Sequence, residues 1–267
     1  ALTTTGATIL TGLDAMPRSF LMYRQFLQWL GGLGVVIFVV AVLPMLNVGG
    51  MRMLRAEAPG PVKDDKLSPR VATTARHLWS VYLVITILCA ACYYFSGMSL
   101  YDAVAHSFST VSTGGFSTHD ASMGYFESPG ILLVADVFML LGAISFALHY
   151  RIWSRGSPIQ YFQDDETRTF LLLTLALGAV VALLLAAGDV YDGPLETLNA
   201  SLFHLISFIT STGYGAGGYT EWPLVVVTLL LVAGYLGGCA GSTAGGNKII
   251  RSIIMVKMIR HEMRRLL

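Results

Sequence analysis

The chain has 267 residues, of which 54% are hydrophobic and 12% charged, against about 25% charged in an ordinary soluble domain. A net charge of +1 and a mean hydropathy of +0.64 exclude a nucleic-acid binder, which needs a basic excess, and a disordered chain, which needs low hydrophobicity. The 28 glycines follow no Gly-X-Y period and are too many for plain lipid-spanning helices, so irregular backbone is expected inside the apolar mass.

The opening segment, Ala1 to Gly12, has no basic run and no cleavage pattern and reads as a chain met in mid-domain. A helix needs about 20 apolar residues to cross the hydrocarbon core. In chain order the stretches that qualify are Phe26 to Leu46, Leu78 to Phe95, Ile131 to His149, Thr169 to Ala187 and Pro223 to Ala240. Between them, Tyr101 to Val111 and Leu195 to Ile209 are too short or too mixed to span and suit re-entrant pore helices, which membranes tolerate when buried in protein or lining water. Cys89 and Cys92 lie inside an apolar run and are read as packing residues with no redox role. Asp136 sits inside a span, where an acid is costly, so it is expected either to bond to neighbouring backbone or to be functional. The six histidines show no ligand spacing, so no metal site is expected apart from the transported ion.

Basic residues give the orientation. Of 17, six lie between Arg52 and Arg76, three between Arg151 and Arg168, and six between Lys248 and Arg265, with Arg18 and Arg24 remaining. The segments Ser96 to Gly130 and Gly188 to Trp222 have no Lys or Arg but hold Asp102, Asp120, Glu127, Asp189, Asp192, Glu196 and Glu221. By the positive-inside rule the basic set is cytoplasmic and the acidic set faces out, where it would concentrate cations. Lys248 is expected to snorkel to the cytoplasmic headgroups.

The string Ser112-Thr113-Gly114-Gly115-Phe116 recurs as Ser211-Thr212-Gly213-Tyr214-Gly215, a displacement of 99 residues, and Thr4-Thr5-Gly6-Ala7 precedes both. Each copy is followed by a span, and the last two are preceded by a span and a short helix, giving a unit of membrane helix, pore helix, Thr-Gly loop and membrane helix. Such loops can strip water from an ion if their carbonyls point inward, which glycine permits cheaply, and Ser211 to Gly215 reads STGYG beside the TVGYG of potassium channels. Thr4, Thr5, Ser112, Thr113, Ser211 and Thr212 would supply oxygens, with Gly6, Gly114 and Gly213 allowing the geometry. The last span breaks at Gly237-Gly238-Cys239-Ala240-Gly241-Ser242-Thr243-Ala244-Gly245-Gly246, where glycine at about 1 kcal/mol each relative to alanine forbids a continuous helix. That segment is no P-loop, because Asn247 separates Gly246 from Lys248, and no G-x-S-x-G elbow, because Ala240 replaces the first glycine.

Gln25 to Gly34 (QFLQWLGGLG), Leu43 to Leu46 (LPML), Ser107 to Thr118 (SFSTVSTGGFST) and Gly237 to Lys248 (GGCAGSTAGGNK) occur in this order. Together they resemble the membrane subunits of bacterial Trk potassium uptake systems, within the wider Trk/Ktr/HKT family. The resemblance implies an all-α integral membrane fold of repeated membrane helix, pore helix, filter loop and membrane helix units around a pore, in the bacterial inner membrane. It implies four repeats, each giving one filter glycine. On that plan residues 1–50 end repeat 1, 51–76 form a cytoplasmic linker, 77–155 are repeat 2 and 156–267 are repeat 3 with a broken second helix; repeat 4 is absent, so the chain is read as a fragment. The resemblance further implies potassium as the carried ion, an intramembrane gate at Gly237, Gly238, Gly241, Ser242, Thr243, Gly245, Gly246 and Lys248, a homodimer in the lipid bilayer, and a cytoplasmic nucleotide-binding regulator of the TrkA type on the inner face. There is no chemical step, so no enzyme and no covalent cofactor are expected. Two other readings stay open at this point: a potassium symporter coupled to sodium or protons on the same scaffold, and a membrane scaffold or intramembrane enzyme.

Orientation is directly testable. Cysteines replacing Ser122 and Gly193 should react with an impermeant thiol reagent added outside and one replacing Asp64 should not; reversed labelling would overturn the assignment of sides.

Overall fold

A computed structural model describes residues 1–34 and 71–266, and every regular element among them is helical. The part of the first expected span after Gly34 and the part of the linker up to Arg70 lie outside the described residues.

Helix α1 (Arg18–Trp29) starts well before Phe26, because the preceding Pro17 sits at an extended ψ of 130° and the chain turns helical at once behind it. It runs into a wide turn over Leu30–Gly34, in which Gly32 leaves helical geometry. α2 (Val71–Phe95) and α6 (Asp165–Ala187) are long and apolar enough to cross a membrane. Between them come α3 (Leu100–Val111), α4 (Pro129–Ala143) and α5 (Phe146–Arg155), and after α6 come α7 (Pro194–Ile209), α8 (Leu224–Leu236) and α9 (Ile249–Leu266).

The local chemistry fixes the starts. Ser99 caps α3 by accepting from the Asp102 amide while its hydroxyl donates back to the Asp102 carboxylate, and Asp164 caps α6 by accepting from the amide and hydroxyl of Thr167. Proline occupies the first turn of both α4 and α7, where its missing N–H is no loss.

The short helices α3 and α7 are the centre of the molecule. α3 packs against α1, α2 and α4, and α7 against α4, α6 and α8, so each is enclosed by the helix before it, the helix after it and one from the unit before. One core joins Trp29, Tyr82, Tyr93, Met139, Phe146 and Phe203; a second joins Phe170, Leu185, Leu205, Ile209, Leu230 and Ile249.

Ile131 to His149 was expected to cross as one helix and does not. α4 and α5 meet at 96°, with Ile144 and Ser145 extended between them. A break inside apolar surroundings strands carbonyls, and here they are taken up by the glycine-rich segment after α8: the Ala143 carbonyl accepts from the Cys239 amide at 2.9 Å, and the Gly142 carbonyl from the amide and hydroxyl of Thr243 at 3.1 and 3.0 Å. In return the Phe146 amide donates to the Gly241 carbonyl at 3.0 Å. The break of α4 and the break after α8 are thus one feature.

Candidate functional site: three loops and the segment beneath them

The three Thr-Gly loops come together. A Cβ built on Gly6 would lie 2.7 Å from the Gly114 carbonyl oxygen and 3.4 Å from that of Thr212, and one on Gly115 would lie 1.8 Å from the Thr212 oxygen. Thr5, Gly6 and Ala7 also face Ser207, Ser211, Thr212 and Gly213 across an open cavity of about 380 Å³.

Each loop has the same backbone. Thr4, Thr113 and Ser211 have φ of +50°, +50° and +55°, and two residues on Gly6, Gly115 and Gly213 have +74°, +78° and +83°. The residue between, Thr5, Gly114 or Thr212, is not left-handed. Alternating hand turns successive peptide planes the same way, the device that aims a row of like backbone groups at one ion. The hydrogen bonds repeat too. Thr4, Thr113 and Ser211 each donate from the amide three residues back, and Gly114 and Thr212 donate five residues back, to Ser109 and Ser207. Thr113 and Ser211 also turn their hydroxyls onto the carbonyl of the preceding residue, both at 2.7 Å.

These equivalences place the second loop one residue later than the sequence alignment did. Gly115, not Gly114, matches Gly6 and Gly213 and carries the left-handed conformation; Ser112 is the last turn of the pore helix, matching Thr210. Gly114 is glycine for a different reason, since a Cβ there would lie within 2.5 to 2.8 Å of the side-chain amide of Gln28. The same register pairs His106 with His204, which the sequence reading had treated as scattered. Each ring uses Nδ1 on the carbonyl four residues back and Nε2 on the segment after its loop, at Ser117 Oγ and the Ala216 amide.

The pore helices α3 and α7 end at these loops with no basic residue in the last turn, so their negative dipole ends face the convergence point and favour a cation there. Tyr214 ties the second and third loops together: it reaches behind α3, where its hydroxyl bonds with Thr110 Oγ1 at 3.1 Å and donates to the His106 carbonyl at 3.3 Å.

On the side of the loops away from the glycine-rich segment, Asp14 and His119 bond at 2.5 Å, and the hydrogen bond from His119 holds the Asp14 carboxyl below its ordinary range. Asp102 accepts from Ser99 and Thr118, and Asp120 from the Leu13 amide. These two acids therefore brace loops, whereas Glu127, Asp189, Asp192, Glu196 and Glu221 are exposed.

Beneath the loops lies the segment Gly237 to Gly246. Its two ends meet, with Asn247 and Ile249 amides on the carbonyls of Tyr235 and Gly238. That approach requires glycine at Gly237, whose φ is +75° and whose Cβ would fall 2.3 Å from the Gly245 carbonyl oxygen. Thr243 donates to the Val111 carbonyl at the end of α3, and the Gly245 amide donates to Ser211 Oγ, so the segment touches both complete repeats directly under their loops. Ser242 closes on Cys239, while Gly238 is buried and Gly241 exposed. Lys248 does not snorkel. It is 6% exposed, and its ammonium donates to the Ala244 carbonyl within the segment.

Asp136 has one carboxylate oxygen without a hydrogen-bond partner, so the backbone bond considered for it is not made there. Among the described residues no group of three or more His, Cys, Asp or Glu side chains could hold a metal ion.

Two site residues escaped the sequence reading. Gln28 packs against Gly114, and Glu166, at the start of α6 and 3% exposed, accepts at Oε1 from the amides of Ala240 and Ile250 at 2.7 and 3.2 Å. One carboxylate so ties the glycine-rich segment to the start of α9. The signal for Gln28 was present, since Gln25 and Gln28 stand one turn apart in an otherwise apolar stretch, where carboxamides are costly unless partnered. Glu166 gave no signal beyond that of an acid in a first helical turn.

Fold and site together define an all-helical membrane protein of the pore-loop class, in which short helices and irregular loops are held within a cage of apolar helices. The family model described as "TrkH: Cation transport protein" matches residues 1–266. The chain is 47% identical over 268 residues to the Trk system potassium uptake protein TrkH of Vibrio parahaemolyticus and 42% identical over 269 residues to TrkG of Escherichia coli. The crystal structure of the potassium transporter TrkH from Vibrio parahaemolyticus superposes with a TM-score of 0.85 at 43% identity, covering 99% of this chain and 54% of that one. The chain belongs to the TrkH family. It spans about half the length of the curated relatives it matches, covering 100% of itself but 55% of the Vibrio protein.

Replacing Glu166 by Ala strands two amides that bonded to a charged acceptor, at about 2 kcal/mol each. The variant should show a lower thermal midpoint in detergent and faster hydrogen exchange at Ala240 and Ile250, with Glu166→Gln milder; unchanged exchange would remove Glu166 from this role.

Proposed function

We propose that this chain forms part of a path for potassium uptake, in which a filter of backbone carbonyls from Thr4 to Gly6, Ser112 to Gly115 and Ser211 to Gly213 sits above a barrier made by Gly237 to Gly246. The observation that carries the reading is the alternation of backbone hand, which is the same in all three loops and occurs where they meet. Threonine and serine hydroxyls add oxygens, and the dipole ends of α3 and α7 supply negative potential without a fixed charge that would hold the ion too tightly. The relatives' names as potassium uptake proteins support the choice of ion.

On this reading the protein catalyses no reaction and needs no cofactor, and potassium is its cargo. The division into an end of repeat 1 (1–50), a linker (51–76), repeat 2 (77–155) and repeat 3 (156–267) follows from the two complete units of long helix, pore helix, loop and helix. The basic residues 248–265 that follow the glycine-rich segment support the bacterial cytoplasm lying on its side. A nucleotide-binding regulator would act there, on a homodimer in the inner membrane, by moving the segment aside. Its glycines supply the flexibility for that movement, and its hydrogen bonds to Val111 and Ser211 are what movement would have to break.

Gly115→Ser in the full-length protein should lower the potassium-to-sodium uptake ratio by about tenfold, because its side chain collides with the Thr212 carbonyl and strains a left-handed position. An unchanged ratio in proteoliposomes would remove the loop from the filter. Deleting residues within Gly241 to Gly245 should raise basal potassium flux; a folded, membrane-inserted deletion whose flux stays the same or falls would make the segment a fixed kink.

A further inference from the structure

The two complete repeats brace their loops differently. In repeat 3, Ser207 on the pore helix donates directly to the Tyr214 carbonyl just beyond the loop, at 2.8 Å. Its counterpart Ser109 makes no such bond among the described contacts and instead donates, at 2.6 Å, to Oε1 of Gln28 on α1. The carboxamide of Gln28 is therefore inserted between the pore helix and the second loop.

All of that carboxamide is in use. Its Nε2 donates to the Gly114 carbonyl at 2.6 Å, and its Oε1 also accepts from the Phe116 amide at 3.2 Å. Pairing with the C=O of one residue and the N–H of the residue two further on is what the N–H and C=O of a single residue do across a parallel β-ladder. Gln28 supplies that donor and acceptor from a side chain, in a protein whose described residues form no strand. It is fully buried, at 0% exposure, and its amide plane lies so close to Gly114 that no side chain fits there. The same turn of α1 holds the next residue of the loop: Gln25 Nε2 donates to the Phe116 carbonyl at 2.9 Å, and the Arg24 guanidinium stacks on the Phe116 ring at 4.3 Å.

Gly114 is the loop residue most in need of such support. It stands between the left-handed Thr113 and Gly115 and has no side chain to anchor it, so the peptide plane that carries its carbonyl can turn at little cost. The matching residues Thr5 and Thr212 have side chains that bond to Thr3 and Thr210, at 2.9 and 2.7 Å. We propose that Gln28 is a positioning residue for ion selectivity, which fixes the direction of the Gly114 carbonyl through the bond from Nε2 and thereby sets the preference of the filter for potassium over sodium. The inference rests on the reading of the three loops as a filter. Discrimination between two ions of equal charge depends on where each carbonyl stands and how firmly, so a carbonyl freed to turn weakens it.

The test compares potassium and sodium uptake by the full-length protein in proteoliposomes under equal gradients. Gln28→Met keeps the volume and removes every hydrogen bond of the carboxamide; Ser109→Ala removes only the hydroxyl that holds it. The expected results are a drop of about fivefold in the potassium-to-sodium ratio for Gln28→Met and about twofold for Ser109→Ala, consistent with the loss of neutral hydrogen bonds. If Gln28→Met does not reach the membrane folded, Ser109→Ala decides alone, and an unchanged ratio there overturns the proposal. Equal loss of both fluxes at a constant ratio also overturns it, since that is what a merely structural residue would give. Gly115→Ser serves as the reference: if it lowers the ratio while both other variants keep it, the filter stands and Gln28 is not its positioning residue. If all three keep the ratio, the filter reading itself has failed.

Discussion

Backbone that leaves helical geometry inside an apolar layer must find its hydrogen-bond partners in protein, because lipid offers none and each stranded group costs several kcal/mol. Here two such departures meet that demand by pairing with each other. The carbonyls released where α4 turns by 96° into α5 receive the amides of the glycine-rich segment after α8, and Gly241 returns a carbonyl to Phe146. Neither break is stable without the other, so the position of the segment under the loops is fixed by the same bonds that let α4 end where it does. Glu166 adds an acceptor within the segment, at Ala240, and where α9 starts.

The loops above obey the same demand by another route. In the second and third loops the amides are satisfied by carbonyls three and five residues back in the short helices, which on the proposed reading leaves the loop carbonyls for an ion. Left-handed threonine and serine at Thr4, Thr113 and Ser211 are strained positions, and they recur only because the surrounding bonds hold them. The short helices bring their dipole ends to the same place, so the fold concentrates negative potential there without a carboxylate. Acids nearer the loops, Asp102 and Asp120, are spent on holding them.

Repetition and asymmetry coexist. Each short helix packs against three others, and His106 and His204 brace equivalent segments. Within that common plan the second loop borrows its support from Gln28 of the preceding repeat, while the third is held by its own Ser207 and by Tyr214 reaching back to α3. A chain that carries its repeats in one polypeptide is free to differentiate them, and here it has done so at the contacts between neighbours.

Composition alone set the class, since 12% charge and long apolar runs leave no means of covering a soluble surface. Hydropathy found the long helices, the short length of Tyr101–Val111 and Leu195–Ile209 marked the pore helices, and glycine density marked the break after α8, because each of these is a local property of the chain. What the sequence misjudged was non-local. The register of the second loop fell one residue early because Ser112-Thr113-Gly114 and Ser211-Thr212-Gly213 match as letters, while the left-handed positions are fixed by hydrogen bonds to Ser109 and Ser207. The bend at Ile144 has no proline to announce it, and Gly142 just before it is still helical; its cause is a partner segment nearly 100 residues away in sequence. Lys248 read as a membrane anchor because a lysine after an apolar run usually is one, yet the ends of the segment close around it and turn its ammonium inward. The sequence by itself determined which stretches are apolar, which are helical and where glycine breaks them. Tertiary structure decided which break satisfies which, and so which glycine bends, which carbonyl is held, and by whom, because an unpaired backbone group in an apolar layer is settled only when its partner arrives.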